Sequence, residues 1–449
     1  MAEVANSVSF QVAAGGALRG SLRVPGDKSI SHRAIMLASL ADGETEISGF
    51  LEGADSLATL TAFRAMGVRA EGPEQGRVRV RGVGVDGLRA PNQALDLGNS
   101  GTSMRLLAGL LAGQRFATVL IGDSSLSRRP MRRVIDPLSL MGAHIDATPD
   151  GRAPLRVLPV ERLSGIDYEL PVASAQVKSC LLLAGLYARG RTCIREPAVT
   201  RDHTERMLSA FGYPLARDGD RVCLDGGRRL TATTLTVPAD ISSAAFFLVG
   251  ASLTPGSDLT LTQVGMNPTR AGVVNILRMM GADIAIERPR ELGGEPVADL
   301  RVRASALRGV EVPKDQVPLA IDEFPALCVA AACADGPTVV TGAEELRVKE
   351  SDRIQAMANG LSALGVAVDT RPDGMRIEGV GAAGLLDGGE IDAHGDHRIA
   401  MAFAVAALRA SAAVRVRDCA NVETSFPGFA ALAAGVGLRI TEEREKATE

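Results

Sequence analysis

An α/β fold of six repeats, grouped as two domains of three with helices enclosed by sheets, is what the sequence predicts. Three observations predict it. An apolar residue followed by Gly recurs six times, six further segments are apolar on nearly every face, and 46% of the 449 residues are hydrophobic. The Gly signature falls at Met66-Gly67, Met141-Gly142, Phe211-Gly212, Met280-Gly281, Leu364-Gly365 and Val436-Gly437. Its period is ~75 residues, longer than the usual solenoid repeat. A Gly just past a helix supplies a left-handed C-cap. The segments that follow (VRAE, AHIDA, YPLAR, ADIAIE, VAVDT and LRIT) read as strands.

The second set of helices runs in the same phase. In chain order these are DKSISHRAIMLASL, NSGTSMRLLAGLLA, ASAQVKSCLLLAGLY, DISSAAFFLVGAS, DEFPALCVAAACA and GDHRIAMAFAVAAL. Each has a polar start and then about three turns of small and apolar residues, a pattern that predicts burial all round. The first five lead through short turns into the strands ADGETEISGF, GQRFATVLIG, RGRTCIREP, PGSDLTLTQV and DGPTVVTGA. The sixth leads through RASAAVRVRD.

Composition excludes several function classes. The net charge is −4, with no Trp and only three Tyr, so basic or aromatic surface for nucleic acid is scarce. No apolar run reaches the ~18 residues of a membrane span. The N-terminal MAEVANSVSFQV lacks the pattern of a secretory signal. The six Cys form no C-x-x-C pair, and buried free thiols in a reducing compartment are expected. The His residues show no metal-ligand spacing, so a cytoplasmic, metal-free protein is expected.

The chemistry collects at the starts of the apolar helices, where unpaired N–H groups and a partial positive charge suit anions. These starts hold Lys28-Ser29 with Arg33, Asn99 to Thr102, Ser174-Ala175-Gln176, Asp240 with Ser242-Ser243, Asp322-Glu323, and Asp396 to Arg398. Capping accounts for any single Ser, Asp or Asn there. It does not account for Lys28 or Arg398, since a cation at a helix start is unfavourable unless an anion lies between. Further cations stand at turns: Arg129, Arg201, Lys349 and Arg353, the last two around Glu350. Lys is rare here (Lys28, Lys178, Lys314, Lys349, Lys446), and a compact ammonium suits phosphate contact. PGDKS fails as a P-loop, because Asp27 stands where Gly must precede Lys28.

Ten segments carry a resemblance along essentially the whole chain. LRVPGDKSISHRAIMLASLA, LGNSGTSMRLLAGLL, RRPMRRVIDPL, ASAQVKSCLLLAGL, RDHTERML, PADISSAAFFL, IDEFPAL, LRVKESDRI, GDHRIAMAFAVAAL and TSFPGF resemble, in order, the 5-enolpyruvylshikimate-3-phosphate (EPSP) synthase family. The resemblance implies a two-domain inside-out α/β barrel of the enolpyruvyl transferase type, with six β-α-β-α-β-β repeats. It implies one domain over 22–240 and a second from 1–21 plus 241–449. It also implies an active site in the cleft between them, completed when shikimate 3-phosphate draws the domains together. The implied reaction moves the enolpyruvyl group of phosphoenolpyruvate to the 5-hydroxyl of shikimate 3-phosphate, by addition and elimination. No cofactor is needed, and the implied state is a monomer without nucleic-acid or membrane partners.

Residue by residue, the resemblance assigns Lys28 to both substrates and Ser29 and Arg33 to the shikimate part. Ser174, Ala175 and Gln176 fall on the segment for the 3-phosphate, with Gln176 also reaching the pyruvyl group. Arg201 lines the same pocket. Asn99, Gly101 and Arg129 match one side of the phosphoenolpyruvate site, and Arg353 and Arg398 the other. Asp322 matches the general base, Lys349 a further shikimate contact, and Glu350 the acid implicated in protonating the methylene carbon.

Two departures matter. Thr424 stands before Ser425-Phe426-Pro427, where some members have Lys. SAQVKS, RDHTE and TSFP resemble the bacterial class that includes glyphosate-tolerant enzymes, yet Gly101 stands where tolerant members carry Ala. Sensitivity to glyphosate is therefore expected. Two rivals remain on sequence. A UDP-N-acetylglucosamine enolpyruvyl transferase would start its site with Lys-Asn and use a loop Cys, whereas Lys28 is followed by Ser29 and no Cys precedes Cys180. A non-catalytic anion-binding repeat protein would have no need of Lys28, Asp322 and Glu350 together.

Overall fold

The computed structural model describes residues 7–445. The chain forms two compact units. The inserted unit is Gly26–Pro238, joined by Glu291–Glu295, and the flanking unit comprises the residues through Pro25, Ala239–Arg290 and Pro296 onward.

Each unit encloses three apolar helices. In chain order they are α1 (Lys28–Leu40), α2 (Gly101–Ala112) and α3 (Ala175–Gly185) in the inserted unit. The flanking unit has α4 (Ile241–Leu253), α5 (Phe324–Ala332) and α6 (His397–Ala406). Every residue of α4, α5 and α6 is buried. A helix without a polar face has no side to offer water, so sheets must cover it all round. Where α2 meets α3, a Cβ on Gly109 would collide with the Cys180 carbonyl oxygen, so only Gly permits that approach.

Most of the covering sheets share one plan: an edge strand parallel to the next strand, then two antiparallel strands; the sheet of Asp335–Val340, Gly374–Val380 and Val368–Arg371 has three antiparallel strands. In the inserted unit Leu95–Asp96, Thr118–Ile121, Leu155–Leu158 and His144–Asp146 follow it. So do Asp167–Glu169, Arg191–Arg195, Arg221–Asp225 and Ala216–Asp218. The third sheet takes its edge strand, Thr234–Thr236, from the far end of the unit, where it pairs in parallel with Glu44–Ser48. The flanking unit closes in the same way. Arg19–Leu22 pairs in parallel with Asp258–Gly265, and Ser7–Gly16 lies between Val414–Arg417 and Leu438–Glu445. Edge strand, buried helix and parallel partner form a crossover unit, which directs each helix start to one end of its unit.

The six signature glycines all have positive φ: Gly67, Gly142, Gly212, Gly281, Gly365 and Gly437. The strand expected over YPLAR begins only at Ala216. The cysteines require a correction. Cys180, Cys328, Cys333 and Cys419 are buried thiols, but Cys193 and Cys223 form a disulfide. Antiparallel pairing of Arg191–Arg195 with Arg221–Asp225 sets Cys193 directly opposite Cys223, a proximity that no local spacing reveals. Among the described residues, no helix is long and apolar enough to cross a membrane.

Candidate active site

Three helix starts supply the predicted residues of the inserted unit. Asp27 caps α1 by accepting from the Ile30 amide (2.9 Å), which leaves Lys28 and Ser29 in the first turn. The Lys28 ammonium has a carboxylate partner at this helix start: it donates to Asp55 Oδ2 at 2.8 Å. Arg33, one turn on, is buried and fully engaged. Its Nε donates to Thr204 Oγ1 (2.7 Å), Nη1 to the Ser29 carbonyl (2.9 Å) and Nη2 to Ser179 Oγ (2.8 Å). Burial pulls its pKa down to about 10; Glu205 opposes that shift, and the neighbouring Arg201 adds to it. Two guanidinium groups close enough to repel mark a place where an anion is favoured.

Ser100 caps α2 through the Ser103 amide (3.1 Å), so Gly101 opens the helix. Asn99 lies beside it, donating to Asp123 Oδ2 (2.7 Å) and accepting from Arg129 Nη2 (2.6 Å). A Cβ on Gly101 would stand 3.0 Å from Arg129 Nη1. Asn99, Gly101 and Arg129 therefore form one contiguous patch. Ser174 caps α3 through the Val177 amide (3.4 Å), with Ala175 first in the helix. Gln176 reaches α2: it accepts from Arg105 and donates to Thr102 Oγ1 (3.1 Å). Arg201 lies in the turn ahead of the helix His203–Ala210.

The flanking unit brings its five predicted residues, Asp322, Lys349, Glu350, Arg353 and Arg398, into one connected set. Asp322 Oδ1 lies 3.3 Å from Lys349 Nζ and 3.6 Å from Arg353 Nη1. Arg398 Nη1 donates to the Asp322 carbonyl (3.0 Å). Glu350 pairs with Arg353 Nη2 at 2.6 Å. Arg353 is only 1% exposed, and its Nε meets Asp396 Oδ2 at 2.8 Å. Asp396 also caps α6 by accepting from the Arg398 amide (2.9 Å). Burial opposes ionisation of Asp396, but the charge and hydrogen bond of Arg353, together with His397, hold the carboxyl below its ordinary range. For Arg353, burial is likewise outweighed by Asp396 and Glu350, which raise its pKa. Next to this set, Arg270 Nη2 donates to Glu323 Oε1 (3.0 Å) and Ser242 Oγ (2.5 Å).

Several partners of these residues have little or no local signature in the sequence. Asp55 carries no local signal. Arg105 did leave one, standing four residues after Gly101 and so on the same helix face. Asp396 caps α6, as its place at a helix start predicts, and is also the buried counter-ion of Arg353.

Residues 12–432 match the model of the family described as EPSP synthase (3-phosphoshikimate 1-carboxyvinyltransferase). The chain belongs to the EPSP synthase family. A 3-phosphoshikimate 1-carboxyvinyltransferase of Alkalilimnicola ehrlichii is 68% identical over 434 residues, covering 97% of each chain. One from Methylococcus capsulatus is 65% identical over 433 residues, covering 96% of this chain and 98% of the relative. The solved EPSP synthase of Acinetobacter baumannii superposes with a TM-score of 0.88 at 54% identity, covering 97% of this chain and 100% of that one. The enolpyruvyl transferase NikO of Streptomyces tendae shares the fold at 18% identity, with a TM-score of 0.77 over 98% of this chain and 100% of that one. The inside-out α/β architecture and its six repeats are thus those of EPSP synthases, and this chain is an enolpyruvyl-transferring enzyme of the shikimate pathway.

Proposed function

We propose that the residues gathered in the two units act on one pair of substrates, phosphoenolpyruvate and shikimate 3-phosphate. The observation that carries this reading is the Asp322 carboxylate, set between Lys349 and Arg353, with Arg398 holding the main-chain carbonyl of the same residue. An unesterified hydroxyl is a poor nucleophile, and a carboxylate at hydrogen-bond distance can take its proton as it attacks C2 of phosphoenolpyruvate. The C3 methylene gains a proton from Glu350 or Lys28. In the tetrahedral intermediate the C2–O bond to phosphate then breaks, and C3 returns its proton as the enol ether forms. Arg353 and Arg398 hold the donor's carboxylate and phosphate, and with Lys28 they offset charge on the departing phosphate.

In the same reading, Ser29, Arg33, Ser174, Ala175, Gln176, Arg201 and Lys349 hold shikimate 3-phosphate. Lys28, Asn99, Gly101, Arg129 and Gln176 line the phosphoenolpyruvate side. Glyphosate competes there, and the enzyme works as a cytoplasmic monomer. Phosphate release from phosphoenolpyruvate, assayed with and without shikimate 3-phosphate, tests the proposal. Release must require the acceptor, and UDP-N-acetylglucosamine must not replace it. Acceptor-independent release would reject the reading.

A further inference from the structure

The inserted unit holds a buried lysine that the chemistry above does not use. Lys178 lies in α3, two residues past Gln176, with 0% of its side chain exposed. Its Nζ donates to Glu196 Oε2 at 2.8 Å and pairs with Glu205 Oε1 at 2.7 Å. Both carboxylates are themselves buried. Glu196 directly follows the strand Arg191–Arg195, and Glu205 lies in the first turn of His203–Ala210. Thr200 Oγ1 donates to the second Glu196 oxygen. One ammonium therefore ties down both ends of the 196–205 segment, and Arg201 lies between those ends.

A neighbouring residue on each helix extends the same network. Ser179, after Lys178, and Thr204, before Glu205, both accept from Arg33, and Thr204 Oγ1 donates to Ser179 Oγ at 2.7 Å. Lys178 can balance only one of its two carboxylates. Glu205 also faces Arg33, whose guanidinium it stabilises. Lys178, Arg33, Glu196 and Glu205 thus sum to zero charge. Apolar side chains of similar volume would hold the segment to α3 at least as firmly. They would not fix its register, because apolar contacts are not directional, whereas an ammonium between two carboxylates sets the spacing of three elements.

We propose that Lys178 is a positioning residue for shikimate 3-phosphate: through Glu196 and Glu205 it sets Arg201 against Arg33 and the start of α3. This rests on the site reading given above.

Lys178→Met keeps the length of the side chain and removes its charge. Steady-state kinetics well below the variant's melting temperature should show KM for shikimate 3-phosphate raised ~10-fold or more. Neither kcat nor KM for phosphoenolpyruvate should change by more than about threefold. Lys178→Met combined with Glu205→Gln, which restores neutrality, should recover part of that loss. A lower melting temperature with KM unchanged, or equal rises in both KM values, would overturn the proposal. Should Lys178→Met fail to fold, Thr200→Val removes only the Thr200–Glu196 hydrogen bond and must raise the same KM about threefold; no rise there overturns it as well. Arg201→Ala separates the two levels. If it leaves KM for shikimate 3-phosphate unchanged, the site reading itself fails. If it raises that KM while the Lys178 variants do not, only the positioning role fails.

Discussion

The Asp322 carboxylate lies 3.3 Å from the Lys349 ammonium. Arg353 approaches the same oxygen at 3.6 Å. Cations so placed steady the position of a carboxylate. Asp322→Ala is expected to lower kcat by ~10²–10⁴-fold, the usual contribution of a general base. Lys349→Met should act mainly on KM for shikimate 3-phosphate, since it leaves the base in place. Acceptor-dependent phosphate release measures both, and an Asp322→Ala variant with near-normal kcat would remove Asp322 from that role.

Gly101 and Arg129 set the second prediction. A methyl group 3.0 Å from Arg129 Nη1 is tighter than ordinary contact, so the guanidinium must give way. That movement would lengthen its 2.6 Å hydrogen bond to Asn99. Gly101→Ala should raise the glyphosate inhibition constant and, less steeply, KM for phosphoenolpyruvate. An inhibition constant equal to that of the unsubstituted enzyme would show that glyphosate does not depend on this wall.

Much of this organisation is legible in the sequence because it is written locally. A helix-ending Gly such as Gly142 and an apolar segment such as α4 depend on neighbours within a few turns, and both survive as read. The helix starts are legible for the same reason. Pairings across the chain leave no such trace. Asp55 meets Lys28 from 27 residues away, Gln176 meets Arg105 from 71, and Cys223 meets Cys193 from 30. Each depends on which elements the crossovers bring side by side. Lys178 shows the limit from the other direction: its rarity as a lysine is plain in the sequence, but its two carboxylates come from later elements that pack on α3.

His32 gives a dependence on pH. It is fully buried in α1, with Nδ1 2.8 Å from Thr59 Oγ1, and Thr59 continues to Ser103 at 2.6 Å. Burial, followed by the charges of Lys28 and Arg33, holds its pKa well below 6.5. The unfolded chain therefore takes up a proton near 6.5 that the folded chain refuses. Stability from this group is complete above that pH and declines as pH falls below it, by at most ~1.4 kcal/mol per pH unit. Melting curves from pH 7.5 to 5.5 should show that decline, and His32→Gln should flatten it while starting lower. An identical slope in the variant would assign the decline to other groups.

Arg353 and Asp396 set the last prediction. Both are buried, and the Asp396 carboxylate meets the guanidinium at 2.8 Å through Nε. Asp396→Asn keeps an oxygen for the α6 cap but removes the charge. The remaining partners, Glu350 at 2.6 Å and Asp322 at 3.6 Å, serve a guanidinium that cannot lose its proton. Loss of one partner from a buried pair costs ~3–5 kcal/mol, and the two remaining carboxylates should keep the loss near the lower end. Because the folded Asp396 carboxyl titrates below its ordinary 3.8, its contribution is present above that value and is lost as pH falls through the folded pKa. Denaturant midpoints at pH 7 and pH 5 should therefore differ between the two proteins by the same amount, and the gap should narrow only below about pH 4. A gap already closing between pH 7 and pH 5 would mean that Asp396 is not ionised against Arg353.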